Sequence, residues 1–283
     1  MRAAAKAIGR VGWAASLLDH QWPDGHWVTP GTSAEDLYRP KYIVTNWVAI
    51  VLADLGMTRT DPRIRRTAQM ILDRWSGSLT DRSAEICITG NAVRTLIRFG
   101  YLEHPVVQRS IDWIVRTQKP DGGWHCFPSR TGTLDSWEGL AALAEIPEAG
   151  RDEGVRRSIE RGAEFFLRHR LMDEGETRYP PWFRIHYPNH YYYDVLVGLR
   201  ILTRLGYGAD RRLAPALRWL RRKRAHDGTW VLDASHPDLD SALVGKKYRE
   251  VKVMFPMMLE PLHEPSRWAT VEALSVLTRA DAS

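Results

Sequence analysis

The stretch QKPDGGW at residues 118–124 decides the fold, because two further versions of it stand elsewhere in the chain. They read QWPDGHW at 21–27 and HDGTW at 226–230, so the shared core is Asp-Gly-x-Trp. Each copy follows a run of amphipathic sequence. A phrase that recurs along a chain is typical of a repeat architecture. We therefore interpret the chain as a series of similar helical units.

Helical periodicity dominates the rest of the sequence, and two kinds of segment alternate along it. Segments that are apolar almost all round occupy residues 42–56, 85–100, 135–146, 191–206 and 267–279. Amphipathic segments occupy residues 3–20, 62–75, 105–118, 153–170 and 211–224. A helix that is apolar all round is buried, whereas one with a polar face is half exposed. The alternation predicts an all-α fold in which about 10–12 helices form an inner and an outer ring, closed so that no open end needs a cap.

The repeats run from one end of the sequence to the other, so we expect residues 1–283 to form a single domain. Two long stretches interrupt the helical pattern, at 173–189 and 233–265. Loops of this length are usually functional. We expect both to lie near one mouth of a central cavity.

The composition is that of an ordinary globular chain, with 44% hydrophobic and 26% charged residues. No segment is long and apolar enough for a membrane span, and the N-terminus is interpreted as a helix and not as a signal peptide. Two cysteines are too few for a disulfide framework and favour a reducing compartment. A cytoplasmic protein is therefore expected, with peripheral membrane contact as an alternative.

The formal net charge of +6 is concentrated between Arg211 and Arg224. Leu213, Leu217 and Leu220 share one face of this segment at helical spacing. The segment is interpreted as a solvated outer helix, with docking on an anionic membrane surface as the alternative. No nucleic-acid partner is predicted, because no reading motif accompanies the charge.

The run at 109–118 followed by the Asp-Gly-Gly-Trp of 121–124 resembles the QW motif of squalene-hopene cyclases and related terpene cyclases. The copy at 21–27 fits the same pattern, and the copy at 226–230 fits it except that Arg224 stands where Gln is expected. The resemblance implies the α/α toroid that triterpene cyclases share with protein prenyltransferase β subunits. It also implies that the motif residues stabilise the fold and do not perform chemistry.

The acidic motifs of terpene cyclases are missing from this sequence. Class II members protonate their substrate with the middle Asp of Asp-x-Asp-Asp, and the nearest text here is Asp238-Leu239-Asp240-Ser241. Asp240 would take the middle position, although Ser241 replaces the last acidic residue. No Asp-Asp-x-x-Asp occurs, so magnesium-dependent ionisation is not predicted.

Zinc is the alternative that the prenyltransferase resemblance raises, although no cofactor or metal is our main expectation. In that family a zinc-binding Asp is followed two residues later by Cys, whereas here Asp135 is followed by Trp137. A zinc site would have to be assembled from His125, Cys126, Asp135, His186 and His190. Asp135 is alternatively interpreted as the N-cap of its helix.

The ends of the apolar segments supply candidate site residues, because inner helices of a toroid line its cavity. The candidate catalytic residues are Asp135, Asp194, Glu138 and Asp240. The candidate substrate-binding residues are Trp47, Trp137, Trp182, Phe183, His186, His190, Tyr191, Tyr193 and Trp268. Aromatic faces stabilise a developing cation, and a carboxyl group transfers a proton. The competing interpretation is that the rings fill the core while the carboxylates cap helices or pair with arginine.

Three functions stay open at this point. The first is a terpene cyclase-like enzyme that binds an isoprenoid or other apolar small molecule and catalyses acid-initiated cyclisation or isomerisation. The second is a non-catalytic toroid that binds a hydrophobic ligand or serves as a scaffold. The third is a carbohydrate-active enzyme that uses paired carboxylates such as Asp135 and Asp194.

Overall fold

The computed structural model describes residues 7–27, 36–39, 41–174, 179–235 and 259–282, and these residues contain ten α-helices. The helices are α1 Gly12–Leu18, α2 Thr45–Asp54, α3 Pro62–Arg74, α4 Ile86–Phe99, α5 Pro105–Thr117, α6 Glu138–Ala144, α7 Glu153–Arg168, α8 Val195–Arg204, α9 Ala214–Arg222 and α10 Arg267–Asp281. Short 3-10 turns cover Leu134–Ser136, Glu148–Gly150, Pro180–Phe183 and Arg211–Leu213. Two strands, β1 Trp230–Val231 and β2 Pro265–Ser266, pair antiparallel. The predicted all-α class is confirmed.

Side-chain caps fix where several helices begin. Asp61 accepts a hydrogen bond from the backbone of Arg63 at the start of α3, where Pro62 occupies the first position. Asp152 and Asp194 cap α7 and α8 in the same manner. Each carboxylate satisfies a backbone N–H that the first helical turn leaves unpaired.

Burial alternates along the chain much as the hydrophobic pattern predicts. Helices α2 and α6 are buried at nearly every position, whereas α3, α7 and α9 bury one face only. This alternation is compatible with the inner and outer helices of an α/α toroid. The prediction that 267–279 is buried all round was wrong: α10 buries only one face, and Val271 and Leu274 are 60% and 43% exposed.

The chain packs as two compact units, which are described separately. Unit 1 comprises 1–84, 91–111 and 236–259, and unit 2 comprises 85–90, 112–235 and 260–283. The expectation of one closed domain over 1–283 stays a prediction. In unit 1, the carboxylate of Asp54 is buried between the guanidinium groups of Arg94 and Arg98, so the buried charge is paired.

In all three copies of the Asp-Gly-x-Trp phrase, the tryptophan bonds back to the helix that precedes it. The indole Nε1 donates to a backbone carbonyl ten residues earlier: Trp27 to Leu17, Trp124 to Ile114 and Trp230 to Leu220, each over 2.8 Å. The three rings are essentially inaccessible to solvent. The tryptophan therefore satisfies a carbonyl near the end of a helix while it fills the adjoining core.

The polar residue at the start of each phrase closes the turn. Gln21 and Gln118 donate to the carbonyls of Gly25 and Gly122 over 3.2 and 2.8 Å. At the third phrase, Arg224 Nε donates to the carbonyl of Gly228 over 3.2 Å. The arginine that breaks the sequence motif thus keeps the hydrogen bond of the glutamine it replaces.

Of the predicted loop at 173–189, residues 175–178 lie outside the described part of the chain, and the remainder makes contacts within unit 2. It contains the 3-10 turn Pro180–Phe183, and Ile185 N donates to Asp233 Oδ2 over 2.7 Å. His186 forms a parallel bridge with Ala234. Of the second predicted loop, 233–265, residues 236–258 lie outside the described part of the chain.

Candidate functional site

The four candidate acids have very different surroundings. Asp240 lies outside the described residues. Asp194 and Glu138 are wholly buried in unit 2, whereas Asp135 is exposed at the surface of the same unit. A catalytic carboxyl group must be able to reach its substrate. Asp135 is accessible from solvent, whereas Asp194 and Glu138 are not.

Asp194 organises the loop that precedes α8. Its Oδ1 accepts from Val197 N over 2.8 Å, and its Oδ2 accepts from His186 N over 2.8 Å and from Asn189 Nδ2 over 3.4 Å. Both oxygens therefore bind protein donors. This geometry is that of a helix cap that also holds the 186–189 segment in place. The carbohydrate-active alternative paired Asp135 with Asp194 as its two carboxylates, and Asp194 is not available for that role because both of its oxygens bind protein donors.

Glu138 opens α6 at a close crossing between two helices. A Cβ atom added at Gly90 of α4 would stand only 2.6 Å from the carbonyl oxygen of Glu138. The side chain of Glu138 has no solvent exposure. The backbone of Glu138 therefore lies against Gly90, and its role as a candidate acid stays a prediction.

Asp135 sits in the 3-10 turn that leads into α6. The turn is capped by Thr133, whose Oγ1 accepts from Asp135 N over 3.3 Å, so the interpretation of Asp135 as the cap was wrong. Its own carboxylate oxygen Oδ1 instead accepts from Trp182 Nε1 over 2.8 Å. The carboxyl group is thus free of capping and held from one side by an indole.

The pKa of Asp135 is raised above its ordinary value of 3.8. The largest cause is the loss of water around the carboxyl group, and the charge of Glu174 raises it further. The hydrogen bond from Trp182 and the nearby His125 act in the opposite direction. Although more than a third of the residue's surface is exposed, the protein around the carboxyl group thus favours its protonated form.

Glu174 is the second carboxylate of this neighbourhood. Its Oε1 accepts from Leu134 N, and its Oε2 accepts from Thr133 Oγ1 over 3.2 Å. The glutamate thereby anchors the turn that carries Asp135. The sequence did not indicate Glu174 as a site residue, because an acidic run of this kind is typical of an exposed loop.

Two exposed aromatic rings lie beside the side chains of Trp182 and His125, which both act on Asp135. Tyr179 is 48% exposed and meets the edge of Trp182 at 5.8 Å between ring centroids. Phe127 is 66% exposed and lies 6.2 Å from the ring of His125. Large apolar side chains that remain exposed beside a polar group with a shifted pKa are typical of a binding site.

The structure places most of the predicted substrate-binding rings in the interior. Trp47 is buried in unit 1, where its Nε1 donates to Tyr38 O over 2.8 Å. Within unit 2 the buried members are Trp137, Trp182, His186, His190, Tyr193 and Trp268. The partly exposed members are Phe183 and Tyr191. The ring nitrogen of Trp182 hydrogen-bonds the candidate acid Asp135.

Several of the buried rings have packing partners that account for their burial. Trp182 meets Tyr193 edge to face at 5.5 Å, and Tyr193 donates its hydroxyl to Leu171 O over 2.9 Å. Trp268 stacks on Tyr187 with ring centroids 4.0 Å apart. These contacts give the rings a structural role in unit 2.

Within the described ranges, no group of three or more His, Cys, Asp or Glu side chains could hold a metal ion. The zinc alternative on His125, Cys126, Asp135, His186 and His190 therefore has no support in this part of the chain. His186 Nδ1 instead lies 2.7 Å from Arg184 O.

The basic segment Arg211–Arg224 forms the amphipathic helix α9 and the turn before it. Ion pairs join Arg212 to Asp210 and Glu164, Arg221 to Asp281, and Lys223 to Asp233. Arg218 and Arg222 are exposed. Of the helices that the structure describes, none is long and apolar enough to cross a membrane.

Comparisons with known proteins give likenesses in structure. No protein-family model matches the chain, and no curated protein sequence is similar to it. A crystal structure of a protein from Actinoplanes is similar over 100% of this chain and 77% of that chain, with 18% identity and a TM-score of 0.54. This likeness shows a shared fold and no function.

Two more distant likenesses are to the type II terpene cyclase MstE from Scytonema. The enzyme without ligand is 13% identical, with a TM-score of 0.34, over 99% of this chain and 98% of that chain. A variant in complex with its substrate geranylgeranyl dihydroxybenzoate is 12% identical, with a TM-score of 0.35, over 99% and 95%. Likenesses at this level do not assign an activity to this chain.

Proposed function

We propose that this protein is an enzyme that acts on an apolar, isoprenoid-like small molecule and begins its reaction by proton transfer from Asp135. The observation that supports the proposal is the hydrogen bond from Trp182 Nε1 to the carboxyl group of the surface residue Asp135, whose pKa is raised. The reaction class is cyclisation or isomerisation.

A proton donor must be protonated before the transfer and stable as an anion after it, and the surroundings of Asp135 favour both states. The carboxyl group must first be protonated, which partial desolvation and the charge of Glu174 favour. It must then be stable as an anion after it has given the proton away. The indole N–H of Trp182 donates to Oδ1 and stabilises that anion.

The proposed substrate is apolar because of the rings around the acid. Tyr179 is exposed and packs against Trp182, the donor to Asp135, and Phe127 is exposed beside His125, whose charge acts on Asp135. Such surface lowers the free energy of a hydrocarbon chain that leaves water. The face of an aromatic ring also attracts the positive charge that appears on a protonated alkene.

The test is turnover of two linear probes, squalene and geranylgeraniol, by the full chain and by Asp135→Asn, with products identified by gas chromatography and mass spectrometry. Asparagine keeps the shape of the side chain and the acceptor for Trp182 but cannot donate the carboxyl proton. We expect a loss of about 100-fold or more in the rate of product formation.

The matched control is Glu153→Gln, which removes an exposed carboxylate that pairs with Arg157 on the outer face of α7. This variant should retain the full rate. Unchanged product formation in Asp135→Asn, with the control also active, would rule out the assigned role of Asp135.

A second candidate function is the binding of a hydrophobic ligand without turnover, which the exposed rings Phe127 and Tyr179 favour. Extraction of the native protein with organic solvent, followed by mass spectrometry, identifies any bound molecule. A stoichiometric apolar ligand that the protein leaves chemically unchanged would favour this function over catalysis.

A further inference from the structure

Two arginines of α9 and the chain that follows α7 line a small cavity at the surface of unit 2. The cavity has a volume of about 290 Å³, and the residues that line it are Met172, Asp173, Pro215, Arg218 and Arg222. This volume lies at the lower end of the range for small-molecule sites. The cavity therefore fits a small molecule, and the charges of its lining indicate which kind.

Helix α9 places the two arginines side by side. Pro215, Arg218 and Arg222 follow one another at intervals of three and four residues, which puts them on one face of the helix. Side chains at i and i+4 have Cβ atoms about 5–6 Å apart. One phosphate group can therefore contact both guanidinium groups.

The wall that follows α7 is fixed by hydrogen bonds of its own backbone. Met172 N donates to His169 O over 3.0 Å, and His169 Nδ1 lies 2.9 Å from Asp173 O. Leu171 O accepts the hydroxyl of Tyr193 over 2.9 Å. These contacts hold the backbone of Met172 and Asp173 in place without a ligand.

Arg218 and Arg222 differ from their basic neighbours in their lack of a counter-charge within the described ranges. Arg212, Arg221 and Lys223 each form an ion pair with an aspartate or a glutamate. Among the described residues, the guanidinium groups of Arg218 and Arg222 have neither an ion pair nor a hydrogen bond. Like charges at i and i+4 destabilise a helix, so an anion bound to both groups would stabilise α9.

We propose that this cavity binds a small phosphate monoester that carries a free hydroxyl group. The planar guanidinium groups of Arg218 and Arg222 donate paired N–H bonds to the phosphate oxygens. The carboxylate of Asp173 accepts from the hydroxyl of the ester, and its charge disfavours an anion that lacks such a donor. This binding site does not depend on the role proposed above for Asp135.

A membrane surface is the other source of phosphate groups for a basic helix. A helix that lies in a membrane interface buries its apolar face among the lipids. In α9, Leu217 and Leu220 are instead buried within unit 2. The structure therefore favours a soluble ester over a lipid headgroup.

The experiment follows the backbone amide resonances of the full chain, labelled with nitrogen-15, during titration with glycerol 3-phosphate. We expect saturable shifts for residues 172–173 and 216–222. The matched ligand is propyl phosphate, which keeps the phosphate monoester and the three-carbon chain but has no hydroxyl group on that chain. It should bind about tenfold more weakly, because no donor reaches Asp173.

Two variants test the phosphate contacts. Arg218→Gln and Arg222→Gln should each weaken the binding of glycerol 3-phosphate about tenfold. The matched control is Arg221→Gln, which removes the same charge from the same helix but outside the cavity, where Arg221 pairs with Asp281. Exposed charges at a distance are largely screened at about 0.15 M salt, so the control should bind like the wild type. Equal losses in all three variants would overturn the site.

Asp173→Ala tests the specificity that we assign to the carboxylate. Propyl phosphate should bind this variant more tightly than the wild type, because the repulsion from Asp173 is lost. The preference for glycerol 3-phosphate should disappear. An unchanged preference would overturn the contact between Asp173 and the hydroxyl group.

Two further outcomes would overturn the proposal as a whole. One is the absence of saturable shifts with either ester in a wild-type chain. The other is binding to vesicles of phosphatidylcholine and phosphatidic acid that Arg218→Gln weakens, with no binding of the soluble esters. An amide spectrum like that of the wild type shows that each variant is folded when it is titrated.

Discussion

Trp182 donates its indole N–H to Oδ1 of Asp135 over 2.8 Å, although 47 residues separate the two in sequence. The contact ties the 3-10 turn before α6 to the 3-10 turn within the 173–189 segment. It also stabilises the charged form of a carboxyl group whose other surroundings favour the neutral form. The acidity of Asp135 is therefore set by two opposing contributions that mutation can separate.

The first prediction concerns Trp182→Phe, which keeps an aromatic ring and removes the donor. The pKa of Asp135 should rise further above 3.8, because the hydrogen bond that lowers it is lost. Titration of the labelled Asp135 carboxyl carbon by NMR measures the change. An unchanged or lower pKa would show that the indole does not hold the carboxylate in solution.

The second prediction concerns the pH dependence of stability. Because the pKa of Asp135 in the folded chain lies above 3.8, the folded state binds this proton more tightly than the unfolded state. The contribution of the group to the free energy of unfolding is fully present below pH 3.8. It is lost as the pH rises from 3.8 through the folded-state value.

Asp135→Asn removes that titration, so the difference in free energy of unfolding between wild type and variant should fall with pH in this window and be constant above it. Urea unfolding at a series of pH values measures the difference. A difference that rises with pH in the window would contradict the raised pKa.

The third prediction concerns the contribution of Asp194 to stability. Asp194→Ala leaves Val197 N, His186 N and Asn189 Nδ2 without their acceptor in a buried site. We expect the free energy of unfolding to fall by about 3 kcal/mol or more. Asp194→Asn keeps one carbonyl oxygen and should cost less.

The matched control for Asp194 is Asp152→Ala at the start of α7, which removes a carboxylate that accepts from Val155 N over 2.7 Å. Loss of this single cap should cost about 1 kcal/mol. Urea unfolding of both variants checks the comparison. Equal costs at the two positions would mean that Asp194 serves only as a cap.

The fourth prediction compares two glycines at the same place in the repeated phrase. Gly122 and Gly228 have φ angles of +96° and +88°, which side chains disfavour. A Cβ at Gly122 would stand 2.3 Å from the carbonyl oxygen of Arg161, whereas at Gly228 the nearest atom is 3.1 Å away, at the end of the flexible Arg224 side chain.

Gly228→Ala should therefore cost about 1–2 kcal/mol for its backbone conformation alone. Gly122→Ala should cost clearly more, because a backbone carbonyl must also move. Thermal unfolding of the two variants side by side measures the difference. A larger loss for Gly228→Ala would contradict the packing around Gly122.

The alternation of helices was predictable because it depends on hydrophobic periodicity within single segments. Helix α2 is buried all round, and the sequence around Trp47 contains no exposed charged face. Helix α10 failed this prediction because its apolar residues do not all face protein: Ala273 and Val276 are buried while Val271 and Leu274 are exposed. Composition alone does not tell which side of such a helix meets the core.

The sequence allowed individual site residues to be predicted, but it did not predict which residues contact one another in the folded chain. Asp135 was identified from its position, but Glu174 and the donor Trp182 approach it from a distant part of the chain. Asp194 was selected as an acid, although an aspartate directly before an apolar helix is also a capping signal.

The three indole hydrogens that close the repeated phrases are buried hydrogen-bond donors with a common geometry. Each exchanges with deuterium only when its own turn opens, and each gives a separate resonance in a nitrogen-edited NMR spectrum. Trp27 belongs to unit 1, whereas Trp124 and Trp230 belong to unit 2. The exchange rates of these three indole hydrogens therefore report how often each unit opens locally, without any added label.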